Sequence, residues 1–145
     1  MIYSRACEYA ILGLTVLADR PRDTWTLRSE IAETAGLPYP FAGKILQDLV
    51  RAGLLESVRG RGGGYRLAKA PEDIHLIDIR RAIDGTDDLD ACAVGLDPCS
   101  DETPCPLHHD FKRVRETIRE YLTATTLAQV AGGRREKGAR LARGE

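Results

Sequence analysis

The spacing of apolar and polar residues predicts two helices near the start of the chain. From Ser4 to Ala18, apolar residues recur three or four positions apart, which indicates one amphipathic helix. A second, shorter helix is predicted from Leu27 to about Ala35, with Thr26 as its N-cap. Its buried residues are expected to be Leu27, Ile31 and Ala32.

A third helix is predicted from about Pro40 to Ala52, after a break at residues 36–38. Its expected inner face consists of Phe41, Ile45, Leu46 and Leu49. Two short helices joined by a glycine-containing turn are typical of a helix-turn-helix, whose second helix enters the DNA major groove. The candidate DNA-binding residues on this helix are Tyr39, Pro40, Gly43 and Lys44, of which Lys44 lies on the predicted outward face.

A short β-hairpin is predicted directly after the third helix. Two β-like runs, residues 54–58 and 64–67, flank the tip sequence Arg-Gly-Arg-Gly-Gly at residues 59–63. Glycines let the backbone approach a phosphate closely, and arginine side chains favour a narrow minor groove. The hairpin therefore reads as the wing of a winged helix, with Arg59, Arg61 and Tyr65 as candidate DNA-binding residues.

Two further helices are predicted in the second half of the chain. Asp73 is expected to cap a helix from Ile74 to Ile83. A longer helix should run from Pro106 to about Ala124, with Cys105 as its N-cap. It carries a heptad seam formed by Leu107, Phe111, Val114, Ile118, Tyr121 and Thr125. Such a seam favours a second copy of the helix, hence a homodimer, although packing against its own domain is the alternative.

Composition and charge indicate a mainly α protein with a small β wing and separate functional parts. Residues 1–70 hold 10 Lys or Arg against 7 Asp or Glu, whereas residues 71–131 hold 6 against 13. We predict the following division of the chain: a winged helix-turn-helix domain at 1–84, a cysteine-rich loop at 85–105, a dimerisation helix and closing turn at 106–131, and a disordered tail at 132–145.

The apolar stretch from Tyr9 to Ala18 is too short and too amphipathic to cross a membrane. We expect no export signal, no membrane partner and a cytoplasmic location. Thiols stay reduced in that compartment, which favours metal ligation over disulfides.

Three of the four cysteines, Cys92, Cys99 and Cys105, lie in a short loop without apolar periodicity. Such a loop cannot form a core, so a metal centre is a plausible source of order, and His108 follows Cys105 by three residues. Zinc ligands are usually paired two to four residues apart, so the wider spacing here favours an iron-sulfur cluster. Structural zinc and thiols acting as a redox switch remain alternatives. The three histidines form no hydrolytic motif, which argues against an enzyme.

The order of these elements resembles the Rrf-type winged-helix transcription regulators, the family of IscR and NsrR. The resemblance covers residues 1 to about 131 and rests on four pieces of sequence. They are GLLESVRGRGGGYRL at 53–67, HLIDIRRAID after it, the spacing C-x6-C-x5-C-x2-H, and TTLAQVA.

The resemblance implies a homodimer that binds double-stranded promoter DNA according to the state of an iron-sulfur cluster, with [2Fe-2S] favoured over [4Fe-4S]. The signal would be iron supply, redox stress or nitric oxide. Cys92, Cys99 and Cys105 would be the thiolate ligands. For the fourth ligand, His108 matches the histidine of IscR-like members, and Glu8 matches the carboxylate that NsrR-like members offer from the partner subunit. We prefer His108, because the helix ties it to Cys105.

Overall fold

The structure, a computed structural model, describes residues 2–85, 89–96 and 98–144. Within these ranges, three helices and a hairpin are followed by a 3-10 turn at Pro71–Asp73 and three further helices. The elements are α1 (Arg5–Ala18), α2 (Arg28–Ala35), α3 (Tyr39–Arg51), β1 (Leu55–Val58), β2 (Gly64–Leu67), α4 (Leu76–Asp84), α5 (His108–Ala124) and α6 (Leu127–Ala142).

Helix α1 is the centre of the core. It begins after Ser4, whose hydroxyl accepts a hydrogen bond from the Cys7 N–H at 3.1 Å and so caps the helix. It packs against α2, α3, α4 and α6. The largest fully buried apolar side chains come from nearly every helix: Leu14, Ile31, Leu46, Leu49, Ile74, Leu76, Ile79, Leu122 and Leu127. The predicted mainly α winged helix-turn-helix is confirmed.

A backbone bridge joins the wing to Thr26, two residues before α2 begins. Strands β1 and β2 pair antiparallel from Leu55 opposite Leu67 to Val58 opposite Gly64. The backbone of Thr26 bridges Tyr65 with hydrogen bonds of 2.9 and 2.8 Å. Gly64, with φ of +138°, permits this approach, since a Cβ there would lie 2.3 Å from the Thr26 carbonyl oxygen. Thr26 is therefore a buried bridging residue and not the side-chain N-cap predicted for α2.

Two apolar residues predicted to be buried are exposed. Leu27 is 55% exposed and Phe41 is 60% exposed; Leu27 immediately precedes α2, and Phe41 lies in the first turn of α3. Ala42 takes the inward position instead and is fully buried. The side chains of Leu27 and Phe41 are therefore part of the protein surface.

The predicted starts of α4 and α5 are each wrong by two residues. Helix α4 begins at Leu76, and the His75 N–H donates to the Asp78 carboxylate at 3.0 Å, whereas Asp73 ends the 3-10 turn. Helix α5 begins at His108. The segment before it is a turn in which the His108 N–H donates to the carbonyl of Cys105 at 2.9 Å, so Cys105 is not the N-cap.

Residues 132–144 are not the disordered tail that was predicted, because α6 continues to Ala142. Thr126 and Gln129 cap its start reciprocally: the Thr126 N–H donates to the Gln129 side chain at 2.8 Å, and the Gln129 N–H donates back at 3.3 Å. Further along, Arg134 donates to the Thr15 hydroxyl at 3.0 Å and to the Thr34 carbonyl at 3.1 Å. These contacts hold α6 against α1.

The heptad seam of α5 is divided between two environments. Ile118 is half-buried against the core of its own chain, and Leu122, which the seam did not include, is fully buried there. In contrast, Leu107, Val114 and Tyr121 are 50%, 51% and 45% exposed. These three residues are seven positions apart, so they form one exposed apolar stripe along α5.

Candidate nucleic-acid interface and metal centre

The outward face of the first two turns of α3 carries few free polar side chains. Lys44, with its side chain 82% exposed, forms an ion pair with Asp48 at 2.7 Å, and Arg51 pairs with the same carboxylate at 2.9 Å. Pro40 and Gly43, on the same face, contribute no polar side chain. Exposed ion pairs of this kind are weak, so both cations can exchange Asp48 for a phosphate. The predicted residues Tyr39, Pro40, Gly43 and Lys44 all lie within the first two turns of α3.

Arg28, which the sequence did not bring to attention, lies across the start of α3. Its Nε and Nη2 donate to the Tyr39 hydroxyl at 3.2 and 2.8 Å, and its guanidinium carbon lies 4.7 Å from the centre of the Tyr39 ring. A Cβ on Gly43 would lie 2.7 Å from Arg28 Nη1. The guanidinium of Arg28 thus occupies the space that a side chain at position 43 would fill.

The wing presents its cations at the tip. Arg59 and Arg61 are exposed, and the backbone turns between them at glycines. At the base of the wing, Arg66 lies 4.2 Å from the centre of the Trp25 ring and pairs with Glu56 at 2.7 Å. Tyr65 is half-buried and packs on the core, so its backbone bridge to Thr26 is its clearest structural role.

The cysteine loop is held from one side by two arginines of α5. Arg115 donates to the carbonyls of Asp90 and Ala91 at 3.0 and 3.2 Å, and Arg119 pairs with the Asp90 carboxylate at 2.6 Å. Arg115 also donates to the sulfur of Cys99 at 3.7 Å, which puts a positive charge beside that thiol. Residues 86–88 and 97 of the predicted acidic loop lie outside the described residues.

His108 is 4% exposed and is fixed on both ring nitrogens. Nε2 lies 2.7 Å from the Asp101 carboxylate, and Nδ1 lies 3.3 Å from the sulfur of Cys99. Because an ionised carboxylate can only accept, Nε2 carries the proton, and a neutral ring then presents the Nδ1 lone pair to Cys99. Lys112 holds the other oxygen of Asp101 at 2.7 Å. Hydrogen bonds from Lys112 and then His108 lower the pKa of Asp101 to about 2.

The structure brings only part of the predicted metal set together. Cys92, Cys99 and Cys105 are half-exposed cysteines in one loop, and Cys99 contacts His108. The set whose ligand atoms all lie within 4.8 Å of one another, among the residues that the structure describes, is Asp101, His108 and His109. Glu8 on α1 is paired with Arg5 at 2.9 Å. The three thiols and a fourth ligand therefore do not already converge on one point within a single chain.

Cys7, the fourth cysteine, has a different environment. It lies in the first turn of α1 and is fully buried in the core. Burial, together with the charge of Asp84, raises the pKa of its thiol to about 12. It is a neutral packing residue, whereas the loop cysteines are partly exposed and Cys99 lies beside the His108 ring and the Arg115 guanidinium. The donor chemistry of the loop, three cysteine side chains and one buried imidazole, fits a thiolate-ligated metal centre.

Comparison with known proteins identifies the family. A family model described as Rrf2, iron-dependent transcriptional regulator, matches residues 3–133. The chain belongs to the Rrf2 family of transcriptional regulators. Members of the Rrf2 family are transcriptional regulators and not enzymes, and the winged helix of this Rrf2 chain is accordingly a DNA-binding domain.

Three similar proteins illustrate the range of this family. An HTH-type transcriptional regulator of Aquifex aeolicus (strain VF5) is 32% identical over 129 residues, covering 88% of this chain and 89% of the relative. The structure of CymR, the global cysteine regulator of B. subtilis, has a TM-score of 0.74 at 30% identity and covers 89% of this chain and 95% of CymR. The structure of T. potens IscR has a TM-score of 0.72 at 28% identity and covers 92% of this chain and 88% of the IscR chain.

Among the described residues of this Rrf2 chain, no helix is both long and apolar enough to cross a membrane.

Proposed function

We propose that this Rrf2 regulator is a homodimer that uses an iron-sulfur cluster to sense iron supply, redox stress or nitric oxide, and that its binding to promoter DNA changes with the state of that cluster. The observation that carries the proposal is the contact between Cys99 and the buried His108, in a loop that also holds Cys92 and Cys105. A thiolate-ligated cluster would supply a group that is sensitive to oxidants, nitric oxide and iron supply. We expect the protein to act in the cytoplasm, where promoter DNA is found and thiols stay reduced.

Cys92, Cys99 and Cys105 would be the thiolate ligands. His108 suits the fourth position, because a ligating histidine usually donates its other ring N–H to a carboxylate, and His108 Nε2 already does so to Asp101. The Arg115 guanidinium beside Cys99 would offset part of the negative charge of such a centre. Glu8 is the competing fourth ligand and would have to come from the partner subunit.

The test is iron and acid-labile sulfide analysis of anaerobically purified protein, together with its visible absorption. Alanine at any one of the three loop cysteines should abolish the chromophore. Cys7→Ala, at a buried thiol outside the loop, should leave the chromophore unchanged and serves as the matched control. Stoichiometric zinc without iron or sulfide in the wild type would reject the cluster.

The fourth ligand is tested in the same preparations. His108→Ala should shift the visible spectrum and the redox potential more than Glu8→Ala does. The reverse ranking would assign the position to Glu8. DNA binding of both variants, measured with and without cluster, reports whether the ligand matters for the regulatory output.

A second function is favoured by the likeness to CymR and by the cluster of Asp101, His108 and His109. In this alternative, the loop cysteines act as a thiol redox switch or the loop holds structural zinc. If the cysteines are a switch, oxidation of the apo protein with a mild disulfide reagent should alter its DNA binding in the absence of iron. Mass analysis of the same samples would identify the oxidised thiols. No change in DNA binding on oxidation would reject the switch.

The homodimer is supported by the exposed stripe of Leu107, Val114 and Tyr121 on α5. A two-fold axis would bury this stripe against its own copy. The two recognition helices of such a dimer should contact half-sites separated by about 34 Å or a multiple of it, so the operator should be an inverted repeat.

A further inference from the structure

The first two turns of α3 provide unusually little for reading DNA bases. The N-terminal residues of a recognition helix normally contact base edges in the major groove. Here Pro40 and Gly43 have no polar side chain, and the exposed Phe41 is apolar. The hydroxyl of Tyr39 is engaged by Arg28, and Lys44 is paired with Asp48. The helix therefore offers few hydrogen-bond donors of its own where such donors are required.

Arg28 of α2 lies at this position. It is exposed, and its Nη1 occupies the space above Gly43 that any larger residue would fill. Tyr39 and Gly43 are four residues apart on α3, so they lie on the same side of the helix, and the guanidinium spans both. Arg28 is also the first residue of α2, where the helix dipole disfavours a cation. Its location is therefore not explained by the stability of α2.

The hydrogen bonds of Arg28 leave its end available for a base. Nε and Nη2, which form one side of the guanidinium, donate to Tyr39. The remaining hydrogens of Nη1 and Nη2 point from the end of the group and form a fork. A fork of two N–H donors matches the O6 and N7 acceptors of guanine, which is the commonest specific contact of arginine in the major groove.

We propose that Arg28 reads a guanine in each operator half-site from the space above Gly43, with Tyr39 as its positioning residue. This proposal rests on the DNA-binding function of the family and is independent of the metal centre. It also assigns Gly43 a defined role, because the glycine admits the guanidinium to the outward face of α3.

The test begins with selection of operators from a randomised pool of DNA duplexes by the wild-type protein. Affinity is then measured for the selected operator and for variants in which each base pair is replaced in turn. One G·C pair per half-site should be preferred by about tenfold or more by the wild type. Arg28→Ala should reduce the preference at that pair to about twofold or less and leave the preferences at other pairs unchanged.

Two further variants test the geometry. Gly43→Ala adds a methyl group where Nη1 lies and should weaken the same preference, while the alanine itself favours the helix and keeps α3 folded. The double variant Arg28→Ala with Gly43→Ala should lose no more of the preference for the G·C pair than Arg28→Ala alone, because both changes act on one contact. Lys137→Ala, which removes an exposed cation of α6, is the control for net charge and should keep the wild-type preferences.

Replacing the preferred guanine by 7-deazaguanine removes the N7 acceptor. This should weaken binding of the wild type but not of Arg28→Ala. If Arg28→Ala weakens binding to all sequences equally and flattens the salt dependence, Arg28 contacts a phosphate and the proposal is overturned. An unchanged ranking of operators would overturn it as well. A wild type that selects no sequence would overturn both this inference and the proposed regulation of promoters.

Discussion

Replacement of Val114 by glutamate should convert the protein from a dimer into a monomer. Val114 is 51% exposed and lies in the middle of the apolar stripe, with Leu107 and Tyr121 seven residues away on either side. It has no role in the core of its own chain, so the change should leave the fold intact. Ile118 is a poorer choice, because it is half-buried against that core.

The loss of dimer stability can be worked out from the apolar contact that Val114 loses and the charge that glutamate brings into the interface. Full burial of a valine contributes about 1.5–3 kcal/mol, and about half of the side chain is still exposed, so each subunit forfeits about 1 kcal/mol. Each glutamate would also be transferred from water into an apolar contact without a partner, which costs roughly several kcal/mol per charge. Even a combined loss of about 4 kcal/mol raises the dimer dissociation constant by roughly 10³.

Sedimentation velocity over a range of protein concentrations measures this dissociation constant directly. Thr123→Glu introduces the same charge at an exposed position of α5 outside the stripe and should remain dimeric. If both variants sediment like the wild type, or if the wild type is a monomer, the stripe is not the interface. The monomer should in addition bind an operator half-site only weakly, because it loses the second recognition helix.

Three further predictions concern the wing, the core and the buried thiol. Arg59→Ala should weaken binding to all operators alike and lower the slope of log affinity against log salt by about 1, as measured in a salt titration; an unchanged slope would contradict a phosphate contact. Leu122→Ala should lower the free energy of unfolding by about 2–5 kcal/mol in urea titrations, since it opens a cavity where α5 meets the core. Cys7 should resist alkylation in the native protein near pH 8, because its pKa is raised to about 12, while the loop cysteines react. Since the folded pKa of Cys7 exceeds the ordinary value of 9.0, its contribution to stability is present below about pH 9 and is lost as the pH rises towards 12; unfolding free energies that do not fall over this range would contradict the shift.

Most elements of the fold could be predicted from local sequence, but their ends and inward faces could not. The apolar periodicity of α1 and α3 is strong because one side of each helix packs on several others. Phe41 fits the same periodicity, yet it is 60% exposed in the first turn of α3, beside an open groove that Arg5, Ala6 and Tyr9 of α1 also line. For α6, the pair Thr126 and Gln129 was a readable capping signal that the glycines at 132, 133 and 138 obscured.

The residues of the candidate sites were identifiable by type, but the atoms they face depend on contacts between distant positions. Spacing suggested that His108 shares a helical face with Cys105. In the structure these two residues are joined through the backbone of a turn, and the ring of His108 faces Cys99 instead, nine residues earlier. Its orientation depends on Asp101 and on the α5 residue Lys112, which no local pattern connects.

On the recognition helix α3, too, a contact between distant positions decides which side chains face the DNA. Read alone, the sequence from Pro40 to Gly43 offers no side chain that can hydrogen-bond to a base. The fold supplies a donor from α2, because the Arg28 guanidinium lies across the start of α3, above the glycine at position 43. Specificity in this chain is therefore expected to depend on a pair of positions, 28 and 43. Replacement of Gly43 by alanine should therefore weaken the preference for the base pair that Arg28 reads, because it displaces the guanidinium.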